Sequence, residues 1–509
     1  MKPIPEIVGK GPAAILMVDG KPFRMLAGEV HNSSASDLEY MEKHVWPAYE
    51  RLHANTVIAP VYWECMEPEE GVFDDTLTDG LIYQARAHGM KLVLLWFGLW
   101  KNSGSTYVPE WVKTDRERFW YVQARDGRMP AFFGSANCVI SPLCRAAVDA
   151  DARAFAHLMR HLKEVDAERT VIMVQVENEM GILGSDRDYS PEAEKAYAQE
   201  IPQALTEKGY GRGTWKDVFW DRAPERFMAW HYASAVERIC RAGKDEYALP
   251  MYVNTWLEEA AWVPGRYPSG GPQYRNHDLW SIAAPDVDIY APDIYVTDFQ
   301  GVCGCYATED NPLFIPETRM NAAYFLYALG RYQAMCFAPF GAEDAFADHA
   351  EMDPETARAL GLSEDFFTSQ ARAGQALACA YALVPGMESQ IRKAASEGRM
   401  HGFMHVQAKE ETIHLSGVDA QISYDGQESA GGMILELAEY EYVVLAMNCS
   451  LRFEAKEHGV SLDVLTKEEG RYDNGVWKRG RILNGDERYR NRFGAVPELI
   501  RFRLLPYKN

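Results

Sequence analysis

"VIMVQVENEMG", residues 171–181, passes from an apolar run into Glu177, Asn178 and Glu179 within a few positions. Burying a carboxylate is costly unless something compensates it. A strand that ends on two glutamates therefore has a use for them at that end.

Seven further runs resemble this one: "RMLAGEV" (24–30), "NTVIAPVYW" (55–63), "KLVLLWFG" (91–98), "PMYVNTW" (250–256), "VDIYAPDIY" (287–295), "PLFIPE" (312–317) and "AMCFAPFG" (334–341). Between several of them lie stretches with apolar residues at helical spacing, among them "SDLEYMEKHVWPAYERLH" (36–53) and "CRAAVDADARAFAHLMRHLKE" (144–164). Near-continuous apolar strands separated by helices predict parallel strands buried on both faces. Eight such units predict an α/β protein built on a (β/α)8 TIM barrel. An open doubly wound sheet would call for a Gly-rich phosphate turn after its first strand, and there is none.

The barrel unit is expected over residues 1–385, with an N-terminal β-hairpin turning at Asp19-Gly20. Beyond it, "GGMILELAEYEYVVLAMNCSLRFEA" (431–455) and its surroundings alternate at period two, with turns expected at "YDGQ" (424–427) and "SAGG" (429–432). That predicts a smaller C-terminal accessory domain over 386–509, an antiparallel β-sandwich. Of thirteen tryptophans only Trp477 falls in it, so structural support is a better reading than a tryptophan-built sugar platform.

Composition narrows the function. The 509 residues are 47% hydrophobic and 25% charged, with a formal net charge of -22. That acidity speaks against nucleic acid or an anionic membrane as partner, since both select basic surfaces. Nine scattered cysteines fit a reducing compartment, and the lone Cys303-x-Cys305 pair has no second pair to complete a zinc site. No leader-like segment and no run of about 20 apolar residues is evident, which predicts a cytoplasmic protein without a membrane span.

Active sites on this barrel lie at the C-terminal strand ends. The polar residues there are Glu29 and His31, Glu64, Lys101 and Asn102, Asn178 and Glu179, Asn254 and Trp256, Tyr295, Glu317 with Arg319, and Glu343 with Asp344. One acid at a strand end is usually a salt-bridge partner or a cap. Glu179 and Glu317, however, stand 138 positions apart, room for three βα units, and belong to strands four and seven. Two convergent carboxyls are what glycoside cleavage needs, one to protonate the leaving oxygen and one to attack the anomeric carbon. A metal-dependent hydrolase would want clustered histidines, and only His31 qualifies.

"QVENEMG" (175–181) followed by "NPLFIPETR" (311–319) resembles glycoside hydrolase clan A, and within it family 35, the β-galactosidase family. Gly28–His31 is similar to that family's Gly-Glu-x-His opening, Trp63–Phe73 to its Trp-x-x-x-Glu-Pro-x-x-Gly-x-Phe motif, and Pro312–Glu317 to its Pro-Leu-x-x-x-Glu motif. The resemblance implies Glu179 as acid/base, Glu317 as nucleophile, Asn178 as partner of the sugar hydroxyl beside the anomeric carbon, retention of configuration, and no cofactor or metal. It further implies an exo-acting enzyme on an oligosaccharide or other β-glycoside, a β-galactosidase, with a β-glucosyl substrate or transfer to a sugar hydroxyl as the alternatives. Homo-oligomerisation stays open.

The chain departs from the family at Pro60 and Glu64, which replace its Tyr and Asn, and after strand three, where "GLWKNSGST" (98–106) keeps Trp100 and Asn102 but loses an acid. Substrate contacts are expected from Asn178, Asn102, Glu64, Tyr295, Glu29 and His31, with Trp100 and Trp256 as a stacking pair. Glu29 and His31 are expected to form an ordered hydrogen-bonded pair near the nucleophile. For Tyr295 two readings stand, a donor to Glu317 or a core aromatic. Arg319 is read either as lowering the nucleophile's pKa or as a structural partner of Glu343, and Glu177 as a supporting residue behind the site.

Overall fold

A computed structural model describes residues 2–132, 134–258, 262–346, 364–406, 409–424, 426 and 429–508. Eight parallel strands close into a barrel in sequential order: β1 (Met25–Glu29), β2 (Thr56–Tyr62), β3 (Lys91–Lys101), β4 (Val171–Asn178), β5 (Met251–Trp256), β6 (Ile289–Ile294), β7 (Phe314–Thr318) and β8 (Cys336–Pro339). Closure comes from β8 pairing with β1, Cys336 opposite Met25. All eight expected strands are present, with ends shifted by a few residues.

The strands read as unbroken apolar runs because both faces are covered: every residue of β2 and β4 is buried. The outer layer includes α1 (Arg145–Val165) and α2 (Ala223–Glu246). They approach closely at Gly243, where a Cβ would fall 2.3 Å from the Phe155 ring. No described helix is long and apolar enough to cross a membrane, and all nine cysteines are free thiols.

Before the barrel, residues 6–23 form a three-stranded antiparallel sheet whose second turn is Asp19-Gly20. Both turn residues have positive φ, 53° and 73°, the conformation a two-residue hairpin turn of the primed type requires.

Two helices join the barrel to the C-terminal domain: α3 (Ala322–Tyr332) and α4 (Glu364–Ser396). The expected boundary at 385/386 falls inside α4, with Pro385 in the helix interior, and the first strand of the C-terminal domain begins at Met400. The Tyr381 hydroxyl of α4 is shared between the carbonyls of Ala27 on β1 (3.0 Å) and Phe337 on β8 (2.7 Å). The helix is thus tied to the barrel seam.

The C-terminal domain is an antiparallel sandwich of a six-stranded and a three-stranded sheet. Ile434, Tyr442 and Val444 of the larger sheet face Val418, Ile422 and Leu451 of the smaller one across a second core. Their neighbours Met433, Leu435, Val443 and Leu445 point the other way and join the barrel's own core. Side chains alternate along a strand, so the larger sheet buries both faces, and its central strands are apolar at successive positions. α3 meets this sheet through two glycines: a Cβ on Gly330 would lie 2.8 Å from Gly402 Cα. Of the two turns expected here, Gly431 and Gly432 of "SAGG" belong to a strand, and Asp425 and Gln427 of "YDGQ" lie outside the described residues.

Candidate active site

Glu179 lies one residue beyond β4. The backbone there is unusual: Glu177 has φ 62° and Glu179 φ 46°, a left-handed conformation that non-glycine residues hold only where the surroundings over-determine it. The determinants are visible. β3 shifts register against β4 between Trp96 and Lys101, and the turn after it, also left-handed at Asn102 and Ser103, donates two N–H groups, Asn102 to the Asn178 carbonyl (3.2 Å) and Ser103 to the Glu179 carbonyl (3.1 Å). The Glu179 N–H donates to Asn254 Oδ1 on β5 at 2.8 Å.

The reversal at Glu177 sends the two glutamates to different places. Glu177 turns outward to α1, accepting from the Trp100 N–H at 2.6 Å and the Leu99 N–H at 3.2 Å. There it meets Asp151, which accepts from Trp96 Nε1 at 2.6 Å, and burial with the Asp151 charge pushes the Glu177 carboxyl well up. Two buried carboxyls can face each other only by sharing a proton, so this pair anchors the strand end from behind.

Glu179 turns inward and meets Glu317 from β7 and Asp293 from β6. One carboxyl oxygen of each of the three lies within 4.8 Å of the other two. Register explains the meeting, for Asp293 stands directly opposite Glu317 on adjacent parallel strands. Burial and then the Glu317 charge raise Glu179 to about 7, against the opposing pull of Lys101 and a hydrogen bond with Asp293. Glu317 Oε1 accepts from the Tyr295 hydroxyl at 2.8 Å, which decides between the two readings of Tyr295.

Glu29 is buried beside this group. Desolvation, followed by the Glu317 charge, raises its carboxyl well above the ordinary value, and Lys101 opposes the rise. Neither Glu29 oxygen, nor either polar atom of the Asn178 amide, nor Glu317 Oε2 has a hydrogen-bond partner among the described residues. A buried polar group left unmatched costs about 1–3 kcal/mol, so these atoms are open to partners that the protein itself does not supply.

Several expectations are corrected. Trp100 is no sugar platform: it is fully buried, its indole N–H donates to the Ile140 carbonyl at 2.9 Å, and it packs edge-on against Tyr232 of α2. Trp100 lies in the stretch of β3 where the register against β4 shifts. Glu64 sits at the periphery, where Lys113 Nζ lies 2.8 Å from its carboxylate. Glu29 and His31 do not pair with each other; His31 Nε2 is 2.7 Å from Asp344 Oδ2, a bond that raises the imidazole pKa. Glu343 is taken by the His31 N–H and the Ser34 hydroxyl, and Arg319 is exposed. Asn102 is exposed at the rim.

Trp256 stays available at the mouth, edge-on to Phe132 at 6.3 Å. Both line a cavity of about 1030 Å³ above the ends of β3, β4 and β5, together with Met129, Trp262, Arg125 and Arg266. Its walls are loops, and Glu179, Asp293 and Glu317 are not among its lining residues. Asp293 is the site residue that strand-end reading passed over. It shares its parity with Tyr295, two positions on, and that is the signal that would have found it.

Comparison with known proteins finds similarity over part of the chain. A glycoside hydrolase family model described as beta-galactosidase matches residues 39–232, and a model of a domain of unknown function matches 377–494. A beta-galactosidase of Xanthomonas manihotis is 27% identical over 188 residues, 36% of this chain and 28% of the relative. The chain therefore matches little more than a quarter of that relative's length. Solved structures that align include a beta-galactosidase of the psychrophilic Marinomonas ef1 (12% identity, TM-score 0.43, 72% of this chain and 68% of that one). A beta-galactosidase of Halorubrum lacusprofundi (14%, 0.45, 69% and 57%) and an endo-1,4-beta-mannanase of Rhizomucor miehei (13%, 0.43, 66% and 90%) also align.

Over residues 39–232, less than half of the chain, the sequence is thus similar to a glycoside hydrolase family, and the closed parallel barrel is a fold on which such a site can be built. The model that matches is that of family 42, whereas the motifs resemble family 35.

Proposed function

We propose that the protein is a retaining, exo-acting β-glycosidase that releases a non-reducing-end galactose through a covalent glycosyl-enzyme. The observation that carries this reading is the approach of the Glu179 and Glu317 carboxyl oxygens to within 4.8 Å across the barrel mouth. An approach this close between single oxygens fits the short carboxyl spacing of retaining enzymes, about 5–5.5 Å, better than the roughly 6.5–9.5 Å of inverting ones.

In the proposed cycle Glu317 attacks the anomeric carbon while the proton of Glu179 passes to the leaving oxygen. Water then gives a proton to Glu179 and its oxygen to the anomeric carbon, and Glu317 returns to carboxylate. Glu179 at about 7 suits both steps, because a group poised near ambient pH serves as acid and as base. The Tyr295 hydroxyl supports Glu317 as the charged partner. Asn178 is assigned to the hydroxyl beside the anomeric carbon and Glu29 to a hydroxyl further round the ring, where their unmatched polar atoms await partners.

Galactose is favoured by the beta-galactosidase family match and by the family 35 motifs alike. The aromatic-lined cavity beside Trp256 suits the leaving group. It would admit a sugar acceptor equally well, so product analysis must separate hydrolysis from transfer.

The test is a panel of nitrophenyl β-galactoside, β-glucoside, β-fucoside and β-xyloside, with the first-formed anomer followed by NMR. A β anomer released fastest from the galactoside supports the proposal. An α anomer, or Glu317→Ala with near-normal turnover, overturns it.

A further inference from the structure

Besides the two glutamates of the proposed reaction and Glu29, the site holds a further carboxyl. Asp293 is 3% exposed, lies at the end of β6, and is in register with Trp256 on β5 and Glu317 on β7. Its Oδ2 accepts from Asn254 Nδ2 at 2.7 Å, while Oδ1 has no donor among the described residues. The same Asn254 accepts the Glu179 N–H through its Oδ1, so one amide orients the two carboxyl-bearing residues against each other. The groups that act on Asp293 are Glu317, Glu179 and Glu29. Lys101 acts on Glu29 and Glu179, and the Tyr252, Tyr295 and Tyr306 hydroxyls lie nearby.

Two carboxylates at hydrogen-bonding range repel; a carboxyl and a carboxylate attract, because only the protonated one can donate. Burial first, and then the charges of three acidic neighbours, push the Asp293 carboxyl well up, which favours its protonated form.

The geometry points to Asp293 as a positioning residue for the acid/base: as a neutral carboxyl it donates a hydrogen bond to the carboxylate that Glu179 becomes each time it has given up its proton. This inference rests on Glu179 being the acid/base. The path of the proton is simple. When the glycosidic bond breaks, the Glu179 proton goes to the leaving oxygen and Asp293 keeps its own. When water attacks, the water proton returns to Glu179, and Asp293 is again unchanged. Asp293 touches no reacting atom; it holds the Glu179 carboxylate in line and lowers its basicity, opposing the rise that burial and Glu317 impose.

The deciding variant is Asp293→Asn, whose amide fits the same place, accepts from Asn254 and still donates to Glu179. We expect its pH profile of kcat/KM on nitrophenyl β-galactoside to keep the basic limb within about half a unit of the parent, with kcat within about tenfold. Asp293→Leu, which cannot donate, should move that limb upward and lower kcat ten- to a hundred-fold. If Asp293 were instead ionised, Asp293→Asn would remove a negative charge next to Glu179, and the basic limb would move down by about a pH unit or more. That result overturns the proposal, as does an Asp293→Leu variant with native melting temperature and an unmoved limb. Should Asp293→Leu fail to fold, Asp293→Asn decides alone. Azide rescue of Glu179→Ala on a dinitrophenyl galactoside is measured alongside. Its absence would remove the acid/base assignment itself, whereas rescue together with a lowered limb in Asp293→Asn removes only the role of Asp293.

Discussion

Asn254 holds Glu179 and Asp293 at the same time, accepting the Glu179 N–H at 2.8 Å and donating to Asp293 Oδ2 at 2.7 Å. The bridge needs both ends of a primary amide, so Asn254→Asp, which turns the donor into an acceptor, should be worse than its size suggests. A fall in kcat/KM of about a hundred-fold is expected, from the loss of the hydrogen bond donated to Asp293 and the addition of a negative charge to an already acidic site. Steady-state kinetics on an aryl β-galactoside checks it. An unchanged kcat/KM would mean that Glu179 is held by its backbone turn alone.

Removal of the two glutamates should give different chemical outcomes. Glu317→Ala is expected to be inactive on every glycoside of the panel. Glu179→Ala should lose 10²–10⁴-fold on substrates that need protonation and regain turnover with azide on dinitrophenyl galactoside, yielding a β-galactosyl azide. An α-azide, or no azide product, would contradict a double displacement.

Glu179 at about 7 against 4.5 in an unfolded chain makes two pH predictions. Activity should fall on the alkaline side with an apparent pKa near 7, since the acid is lost as Glu179 ionises. For stability, a carboxyl with a raised folded pKa contributes nothing unfavourable below 4.5, where both states are protonated. Between 4.5 and 7 the unfolded chain ionises first, and the folded state loses up to roughly 3 kcal/mol. Glu179→Gln should therefore melt about 1–3 °C higher than the parent at pH 8 and no higher at pH 4. A gain of the same size at both pH values would argue against ionisation as the cause.

Tyr295→Phe removes the hydroxyl that donates to Glu317 Oε1. A hydrogen bond to a charged group is worth about 1.5–3 kcal/mol, so kcat should drop roughly ten- to a hundred-fold with little change in melting temperature, the ring being 37% exposed.

The two tryptophans should separate. Trp256→Ala should raise KM for substrates with extended leaving groups and spare the fold. Trp100→Ala should cost about 3–5 kcal/mol of stability, the expected effect of emptying a fully buried aromatic site, visible as a lower melting temperature. A Trp100→Ala variant that melts normally and shows only a raised KM would restore Trp100 to the mouth.

The barrel was legible because its strands are dry on both faces and its helices are amphipathic, so two periodicities alternate without ambiguity. Glu179 and Glu317 were legible because the fold restricts chemistry to strand ends. What escaped depends on backbone details that no periodicity encodes. The register shift between Trp96 and Lys101 turns Trp100 away from the mouth and sends Lys101 toward the carboxyls. The left-handed turn at Glu177 assigns neighbouring glutamates to opposite sides of the strand. Asp293 was hidden by Pro292 and Ile294 beside it, which make the segment read as an ordinary apolar strand. The domain boundary was obscured because α4 carries one amphipathic pattern through Pro385 without a linker.

The six-stranded sheet has consequences for how such a chain can be inherited. A module exchanged freely between proteins presents a wet outer surface on all sides but its tether. Here Met433, Leu435, Val443 and Leu445 belong to the barrel's core, and Gly330 on α3 is pressed against Gly402. A gene fragment encoding residues 400–508 alone would carry an open apolar wall, and a barrel received without it would expose the matching one. A cut between the two halves would therefore leave apolar surface open on both products.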